Sequence, residues 1–205
     1  MNKKAMYQLT YGLFVLTSRV GEKDNGCIIN TAGQVTSSPN RISITVNKDN
    51  FTHDLVMESR KFNISVLSEE ADFKIFRHFG FQSGRTAEKF DGYHACKHSE
   101  NGLYYITEGT NAYISATVEQ TIDLGSHTMF IASVDDMDVL SAVPSATYAY
   151  YQSSIKPRPE EKAPAGKTVW RCNVCGYVYE GEELPADFIC PICKHPASDF
   201  EKMTS

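Results

Sequence analysis

Four of the six cysteines in this 205-residue chain are confined to 22 consecutive residues. They form two Cys-x-x-Cys pairs, Cys172 with Cys175 and Cys190 with Cys193, and fourteen residues separate the pairs. Each pair can turn two sulfurs towards one ion, so two pairs provide the tetrahedral four-sulfur site that zinc or iron adopts. A secreted disulfide scaffold spreads its cysteines along the chain, so this distribution indicates a metal site instead.

The segment that contains these pairs is short and rich in aromatic residues. Because about 40 residues cannot bury a stable hydrophobic core alone, the metal is expected to supply part of the folding free energy. The aromatic side chains are expected to pack a dry shell that tunes a redox potential. They are Trp170, Tyr177, Tyr179, Phe188 and Phe200. The spacing of the cysteines leaves the choice between iron and zinc open.

A proline-rich stretch separates the cysteine segment from the rest of the chain. Residues 153–167 contain three of the eight prolines and almost no large hydrophobic side chains. Such a composition favours an extended spacer over a packed core. We therefore predict a domain at residues 1–152, a linker at 153–167 and a small metal-bound domain at 168–205.

The overall composition is that of a globular protein, with 41% hydrophobic and 22% charged residues. A net charge of −5 gives no basic stripe for nucleic acid or an anionic membrane. The apolar run Leu13–Leu16 is too short for a signal peptide, and no uncharged run approaches the roughly 18 residues of a membrane span. We expect a cytoplasmic protein with reduced or metal-bound thiols that binds neither nucleic acid nor membrane.

Alternating hydrophobic and polar residues predict several strands before the linker. The predicted strands are Gly12–Thr17, Ile42–Val46, Phe62–Leu67, Ala112–Ile122 and Met129–Val134. Short helices are predicted between them, one with Thr52 as its N-cap and one over residues 70–79 that ends at Gly80. Five or more strands with few helices predict a mainly-β domain, either a barrel or a sandwich.

Polar residues cluster where these predicted strands end. Asn30-Thr31 is one group, and Thr45–His53 is another that leads into the first helix. A helix N-terminus offers free N–H groups, and the second group adds a lysine and a histidine, so it suits a phosphate. The turn Ser83-Gly84-Arg85, followed four residues later by Lys89, also suits an anion. Taken alone, each feature is better explained as a solvated helix cap or a surface charge pair.

Two further features have both a functional and a structural interpretation. His94, Cys96 and His98 alternate, so a strand would place them on one face as ligands for a transition metal. Their surroundings are polar and rich in turn residues, which favours an exposed loop with a short strand. Cys27 is interpreted as a small buried hydrophobic residue rather than a redox thiol.

The C-terminal pattern Cys-x-x-Cys-Gly-Tyr-Val-Tyr, followed by Cys-Pro-x-Cys, resembles rubredoxin, the electron carrier with one iron ion and four cysteine ligands. The resemblance covers about residues 168–203. The short loop between the pairs is similar to that of the abbreviated domain in rubrerythrins. The resemblance implies one iron ion held by Cys172, Cys175, Cys190 and Cys193, with a zinc ribbon as the alternative.

A second resemblance covers nearly all of residues 5–151. Five sequence features occur in order: Tyr11–Ser18, Asn30-Thr31, Asn47-Lys48-x-Asn50-x-Thr52-His53, Phe79-Gly80 with Ser83-Gly84-Arg85, and Gly125-x-His127-Thr128-x-Phe130. Together they resemble the flavin-reductase-like FMN-binding split barrels, the family of flavin reductases, flavoredoxin and archaeal ferric reductase. The resemblance implies a split β-barrel, a homodimer with FMN near the subunit interface, and NADH or NADPH as the hydride donor.

The same resemblance implies roles for individual residues. His127 is placed near the flavin and the nicotinamide, as the candidate catalytic residue. The implied FMN contacts fall into four groups: Asn30 and Thr31 at the isoalloxazine; Thr45, Asn47, Lys48, Asn50, Thr52 and His53 around the ribityl chain and phosphate; Ser83 and Arg85 over the phosphate; and Tyr150 near the flavin edge, where an aromatic core position is an equal alternative.

Both resemblances together are similar to the high-molecular-weight rubredoxins of anaerobes. They imply that FMN accepts a hydride from NADH or NADPH and passes single electrons to the iron. The implied acceptor is a redox protein such as a flavodiiron protein that reduces O2 or nitric oxide. The alternative is a flavin or ferric reductase whose zinc-bound tail is only a structural or docking module.

Overall fold

The computed structural model of the chain describes residues 3–157, 168–173, 177–190 and 196–203. It divides into two compact units, Met1–Ile155 and Lys156–Ser205. The division into 1–152, 153–167 and 168–205 stays a prediction, because residues 158–167 of the linker lie outside the described residues. No helix within the described ranges is long and apolar enough to span a membrane.

The first unit is built from antiparallel strands. They are β1 (Phe14–Val20), β2 (Lys23–Ile29), β3 (Ala32–Ser37), β4 (Asn40–Asn47), β5 (Lys61–Leu67), β6 (Cys96–His98), β7 (Tyr104–Ile106), β8 (Thr110–Asp123) and β9 (His127–Val139). β6 pairs with β7, and the others form a seven-stranded sheet in the order β2-β1-β5-β8-β9-β4-β3.

The two edge strands of this sheet, β2 and β3, are consecutive in the chain. A short connection between opposite edges requires the sheet to curl, so the sheet forms an open barrel. β2 and β3 lie at opposite edges, yet only Asn30 and Thr31 connect them. The N–H of Thr45 in β4 donates to the carbonyl oxygen of Thr31 at 3.1 Å. This bond attaches the connection between β2 and β3 to β4, the neighbour of edge strand β3. A closed sheet needs such curvature. The prediction of a mainly-β split barrel is confirmed.

Short helices interrupt the strands. They are α1 (Phe51–Ser59), α2 (Phe73–Gly80) and α3 (Tyr148–Tyr150), with a 3₁₀-helix at Lys3–Gln8 and a π-helical turn at Tyr151–Ile155. The prediction of Thr52 as the first N-cap was wrong, because Asn50 Oδ1 accepts the Thr52 N–H at 3.2 Å. The second helix begins later than predicted, because Asp72 Oδ1 caps it by accepting the Lys74 N–H at 2.7 Å.

Hydrophobic side chains are buried on both faces of β1, which explains its uninterrupted apolar run. Leu16 belongs to the barrel core with Phe62 and Phe130. Val15 faces the other way and belongs to a second cluster that includes Phe79 of α2. The barrel is therefore filled inside and covered by α2 outside.

The second unit contains a small antiparallel sheet. Its strands β10 (Val169–Cys172), β11 (Val178–Glu180) and β12 (Phe200–Met203) lie in the order β11-β10-β12. Its buried cluster contains Cys172, Cys190 and Phe200. Among the residues described for this unit, this cluster is small; the dependence of the fold on a metal stays a prediction.

Candidate functional sites

The segment between β4 and α1 forms a tight polar turn. Asn47 Oδ1 accepts the Asp49 N–H at 2.9 Å, and the Asn47 carbonyl oxygen accepts the Asn50 N–H at 3.0 Å. Asparagine and aspartate favour such turns because their side chains hydrogen-bond the backbone two residues further on. Asn50 then caps α1, whose first N–H groups are the positive end of the helix dipole. The turn brings together five of the predicted flavin contacts: Asn47, Lys48, Asn50, Thr52 and His53.

Thr52 and His53 attach the first turn of α1 to the barrel. Both are buried, and the Thr52 Oγ1 accepts a hydrogen bond from Asn25 Nδ2 at 2.8 Å. His53 Nε2 lies 2.9 Å from Thr128 Oγ1, and its Nδ1 lies 3.2 Å from Asp54 Oδ1. Because both ring nitrogens have protein partners, His53 fixes the helix in position.

Arg85 reaches the same helix turn from a segment 31 residues further along the chain. Its Nη2 donates to Asp54 Oδ2 at 2.7 Å, and its guanidinium lies 5.2 Å from the ring centroid of Phe51. Burial raises the pKa of Asp54, but hydrogen bonds from His53 and Arg85 outweigh it, so the pKa is lowered. The N–H of Arg85 also donates to Ser83 Oγ at 3.3 Å, which closes the predicted anion-binding turn.

Lys48 and His127 lie where β4 meets the hairpin of β8 and β9. Lys48 Nζ donates to Asp123 Oδ1 at 2.7 Å, and this hydrogen bond lowers the pKa of Asp123. His127 is paired with Asn47 across the strands, and its Nδ1 lies 2.9 Å from Ser126 Oγ. His127 is half-buried, so its imidazole is accessible at the end of β4 from which α1 begins.

Asn30 and Thr31 line a cavity of about 700 Å³. Thr31 Oγ1 donates to the Thr45 carbonyl oxygen at 2.5 Å, in addition to the backbone bond already described. Leu9 and Tyr11 also line this cavity, which is therefore partly apolar and partly polar. Such a lining suits a planar ring with polar edges.

Tyr148 and Tyr150 lie in the same short helix but face different surroundings. Tyr148 lines the cavity with Asn30 and Thr31. Tyr150, which the resemblance placed at the flavin edge, packs against the second core cluster. The alternative interpretation of Tyr150, as an aromatic core residue, agrees with this position.

Strand β2 links the two groups of polar residues. Asn25 in β2 bonds to Thr52 at the start of α1, and Asn30 follows the end of β2 at the cavity. Five residues of extended strand span roughly 17 Å. An elongated ligand with an anion at one end and a ring at the other can therefore contact both groups.

The sequence analysis missed Asn25 and misplaced Lys89. The Lys89 side chain is buried, and its Nζ donates to the carbonyl oxygens of Gly26 at 2.7 Å and Phe79 at 2.9 Å. Burial lowers the pKa of Lys89 to about 8. The prediction that Lys89 adds charge to the anion-binding turn was wrong, because its ammonium faces these carbonyls. No local sequence pattern marks a buried lysine or a buried asparagine.

The structure does not bring the alternating residues His94, Cys96 and His98 together as a ligand group. Within the described part of the chain, no group of three or more His, Cys, Asp or Glu side chains is placed to hold an ion. His98 Nδ1 instead lies 2.8 Å from the Gly102 carbonyl oxygen, and both histidines are exposed. Cys27 is buried, and burial raises the pKa of its thiol, which fits a small hydrophobic role.

The second candidate site lies in the small C-terminal sheet. Cys172 ends β10, and its N–H donates to the Tyr177 carbonyl oxygen at 2.8 Å. Cys172 and Cys190 are buried in one cluster. Trp170, Tyr177, Tyr179, Leu184 and Phe188 pack against this cluster, so the predicted aromatic shell is present. The other predicted ligands, Cys175 and Cys193, lie outside the described residues.

The donor groups present at the two sites fit different ligands. At α1, a helix N-terminus, Arg85 and Lys48 fit a phosphate. The buried Oδ1 of Asn25, which has no hydrogen-bond partner in the described part of the chain, fits a hydroxyl-rich chain. FMN contains both groups. In the C-terminal sheet, buried thiols within an aromatic shell fit a thiophilic ion such as iron or zinc.

Family models match both parts of the chain. A model described as flavin reductase like domain matches residues 6–158, which include the barrel and its polar sites. A second model, described as rubrerythrin, rubredoxin-like domain, matches residues 170–201.

Individual relatives combine these features differently. The high molecular weight rubredoxin of Moorella thermoacetica is 36% identical, over 99% of this chain and 100% of that protein. The ferric-chelate reductase (NAD(P)H) of Archaeoglobus fulgidus is 36% identical, over 83% of this chain and 98% of that protein. The crystal structure of an FMN-binding protein from Thermus thermophilus shares the fold, with a TM-score of 0.64 at 20% identity over 78% of this chain and 92% of that one.

Proposed function

The chain belongs to the flavin reductase-like family and carries a rubredoxin-like domain at residues 170–201, and from this we propose how it transfers electrons. It is a flavin oxidoreductase by family. We propose that NADH or NADPH supplies a hydride to FMN in the barrel, and that electrons then reach an iron centre in the second domain. A redox partner protein is the final acceptor.

The observation that supports this proposal best is the presence of two complementary sites in one chain. The barrel offers an anion-binding helix terminus and an adjoining cavity, which suit a flavin nucleotide. The small sheet offers buried thiols within an aromatic shell, which suit an ion that changes charge by one unit. A flavin held at the first site would supply the conversion from two-electron to one-electron chemistry, and an iron ion held at the second would supply one-electron transfer.

We propose that the barrel residues divide the work of holding FMN. Arg85, Ser83 and the first N–H groups of α1 bind the phosphate, with Lys48 adding positive charge nearby. Asn30 and Thr31 donate to the edge of the ring at the cavity. Thr45, Asn47, Asn50, Thr52 and His53 maintain the geometry between these ends, and Tyr150 supports the helix that carries Tyr148.

His127 is the proposed catalytic residue. It is half-buried and lies beside Asn47 at the end of β4. An imidazole there can donate or accept a hydrogen bond, so we propose that His127 orients the nicotinamide of the hydride donor.

We propose that Cys172, Cys175, Cys190 and Cys193 hold one iron ion. The described pair, Cys172 and Cys190, is almost fully buried with Phe200. Their aromatic neighbours exclude water, which lowers the local dielectric and influences the reduction potential of the ion.

The identity of the acceptor rests on resemblance. We propose a flavodiiron protein that reduces O2 or nitric oxide as the acceptor, which the resemblance to high-molecular-weight rubredoxins implies. We also propose a homodimer with FMN near the subunit interface, which the resemblance of the barrel to flavin-reductase-like split barrels implies.

A second candidate function has its own supporting observation. The Archaeoglobus relative, named as a ferric-chelate reductase, is matched over 98% of its own length by 83% of this chain. Under this alternative the barrel carries the reductase activity, the cysteines bind zinc, and the tail is a structural or docking module.

An absorption spectrum with metal analysis distinguishes the two candidates. After anaerobic preparation, the electron-transfer proposal expects about one iron ion per chain and visible absorption beyond the flavin bands, because ferric thiolates absorb there and zinc is silent. Zinc without iron, together with a spectrum explained by flavin alone, would instead support the alternative.

A cysteine variant tests the coupling between the domains. Cys175→Ser is expected to abolish NAD(P)H-driven reduction of an acceptor protein while NAD(P)H still bleaches the flavin. Cys96→Ser is the matched control, since Cys96 lies in β6 and outside both sites. Equal loss of bleaching and acceptor reduction in Cys175→Ser would contradict the proposed order of transfer.

A further inference from the structure

Asn25 occupies an unusual position beside the first turn of α1. It is 1% exposed, and its Nδ2 donates to Thr52 Oγ1 at 2.8 Å. Its Oδ1 is also buried and has no hydrogen-bond partner among the residues that the structure describes. Buried polar atoms are normally paired, so an unpaired acceptor at this place points to a ligand or to an ordered water.

Gly84 packs directly on the side-chain amide of Asn25. A Cβ atom added to Gly84 would lie 2.2 Å from Oδ1, 2.4 Å from Cγ and 2.5 Å from Nδ2 of Asn25. The backbone of the turn Ser83-Gly84-Arg85 therefore rests on the flat face of this amide. Gly84 does not have a positive φ, so lack of space alone explains why glycine is needed here.

The amide of Asn25 thus touches both parts of the anion-binding region. One edge bonds to Thr52 in α1, and one face supports Gly84 in the turn that carries Arg85. Arg85 also contacts Asp54 in α1, but that ion pair is about half exposed. Exposed pairs fix geometry weakly because water and salt screen them. The buried contact with Asn25 is therefore the firmer link between turn and helix.

We propose that Asn25 is a positioning residue for the phosphate of the flavin nucleotide. Its amide holds the turn at Gly84 and the first turn of α1 at a fixed separation, so that Arg85 and the helix N–H groups face one phosphate together. This inference rests on the proposed function, because it assumes that FMN binds at α1.

Ligand titration separates this role from a general effect on folding. FMN and riboflavin, which lacks the phosphate, are titrated into the flavin-free full-length chain, and quenching of flavin fluorescence gives each affinity. Asn25→Ala and Gly84→Ala are expected to weaken FMN binding about tenfold or more and to leave riboflavin binding nearly unchanged. Asn25→Asp keeps the size but loses the Nδ2 donor of the bond to Thr52, and it places a negative charge beside the phosphate, so it is expected to act in the same direction.

Two further variants serve as internal tests. Asn111 is another buried asparagine whose Oδ1 has no partner within the described ranges, but it lies in β8 and bonds to Val143 and Ser145. Asn111→Ala is the matched control, and it is expected to retain the preference for FMN over riboflavin. The double variant Asn25→Ala/Gly84→Ala is expected to bind FMN no more weakly than Gly84→Ala, because removal of the amide makes room for the new methyl group.

The outcomes distinguish this role from the proposed function. If the wild-type chain does not bind FMN, the proposed function fails, and the role of Asn25 fails with it. If the wild type prefers FMN and the Asn25 and Gly84 variants keep that preference, only the role of Asn25 is overturned. Equal weakening of FMN and riboflavin in these variants would also overturn it, since that pattern indicates a merely structural residue.

Discussion

The two candidate sites are held together in different ways. The polar site of the barrel draws its residues from β2, α1, the turn at Gly84 and β9, which are far apart in sequence and are fixed by the packing of a large core. The cysteine site lies within 22 residues, and its cluster contains only Cys172, Cys190 and Phe200 as buried residues in the described part. We therefore expect the barrel to form its site before a ligand arrives, and the tail to depend on a bound ion for its fold.

Removal of the metal is expected to produce the largest difference in stability between the tail and the barrel. We expect the tail to lose its structure without the ion, because thiolate coordination contributes about 10 kcal/mol or more in such small domains. The barrel should keep its fold. Hydrogen exchange measured by mass spectrometry checks this, with residues 168–203 expected to lose protection and β1, β5 and β8 to retain it. Trp170 is the only tryptophan of the chain, so its fluorescence reports on the tail alone.

Protected amides in the metal-free tail would contradict this difference, because they would show a fold that is stable without the ion. Loss of protection in the barrel at the same time would contradict the prediction that the barrel keeps its fold, because it would show that the two regions fold as one unit.

A substitution in the barrel core provides the converse test. Phe130 is fully buried in the core, so Phe130→Ala should lower the free energy of unfolding of the barrel by about 3–5 kcal/mol. Urea unfolding followed by circular dichroism measures this loss. Val139→Ala is the matched control, because Val139 is 74% exposed and should change stability very little. The Trp170 fluorescence of both variants is expected to match that of the wild type.

Lys89 contributes a pH dependence to the stability of the barrel. Burial lowers its pKa from 10.5 to about 8, so between these values the Lys89 side chain binds fewer protons in the folded barrel than in the unfolded chain. This contribution makes stability rise with pH, by at most about 1.4 kcal/mol per pH unit, whereas the raised pKa of the buried Cys27 thiol acts in the opposite direction. Lys89→Met should remove this rise in urea unfolding of the barrel. A wild-type curve parallel to that of Lys89→Met would show that Lys89 stays protonated in the fold.

The smallest effect on stability is expected from the exposed ion pair at α1. Arg85→Gln should change the free energy of unfolding by less than about 1 kcal/mol, since the pair with Asp54 is half exposed. FMN affinity should nevertheless fall about tenfold, because a charge-assisted bond to the phosphate is lost. Arg77→Gln, at an exposed arginine of α2, is the control for both measurements. Unchanged FMN affinity in Arg85→Gln would remove Arg85 from the proposed phosphate site.

The candidate ligands of the tail leave a clearer trace in the sequence than the geometry of the barrel does. Spacing alone singles out four cysteines as candidate ligands, because local ligand sets leave a local pattern. In the barrel, alternation identified β4 and β5 but missed β2 and β3. β2 contains Asp24, Asn25 and Gly26, which are poor strand formers, and only its pairing with β1 makes it a strand.

In the polar site of the barrel, too, the sequence predicts local features but not contacts between distant segments. The turn at Asn47 and Asn50 could be predicted, because asparagine turns and helix caps are local features. The contacts of Asn25 with Thr52 and Gly84 could not, since they join segments 27 residues apart and more. The burial of the Lys89 ammonium could not be predicted either, because its carbonyl partners belong to β2 and α2.

The most direct test of the central claim is a single-turnover reduction followed anaerobically by stopped-flow absorption. The full-length protein, loaded with FMN and iron, is mixed with NADH or NADPH while the flavin and iron–thiolate bands are recorded separately. We predict that the flavin band bleaches first and the iron band follows in the same molecules, and that Cys175→Ser retains only the flavin phase. An iron band that persists after complete bleaching of the flavin would contradict electron transfer from the barrel to the tail.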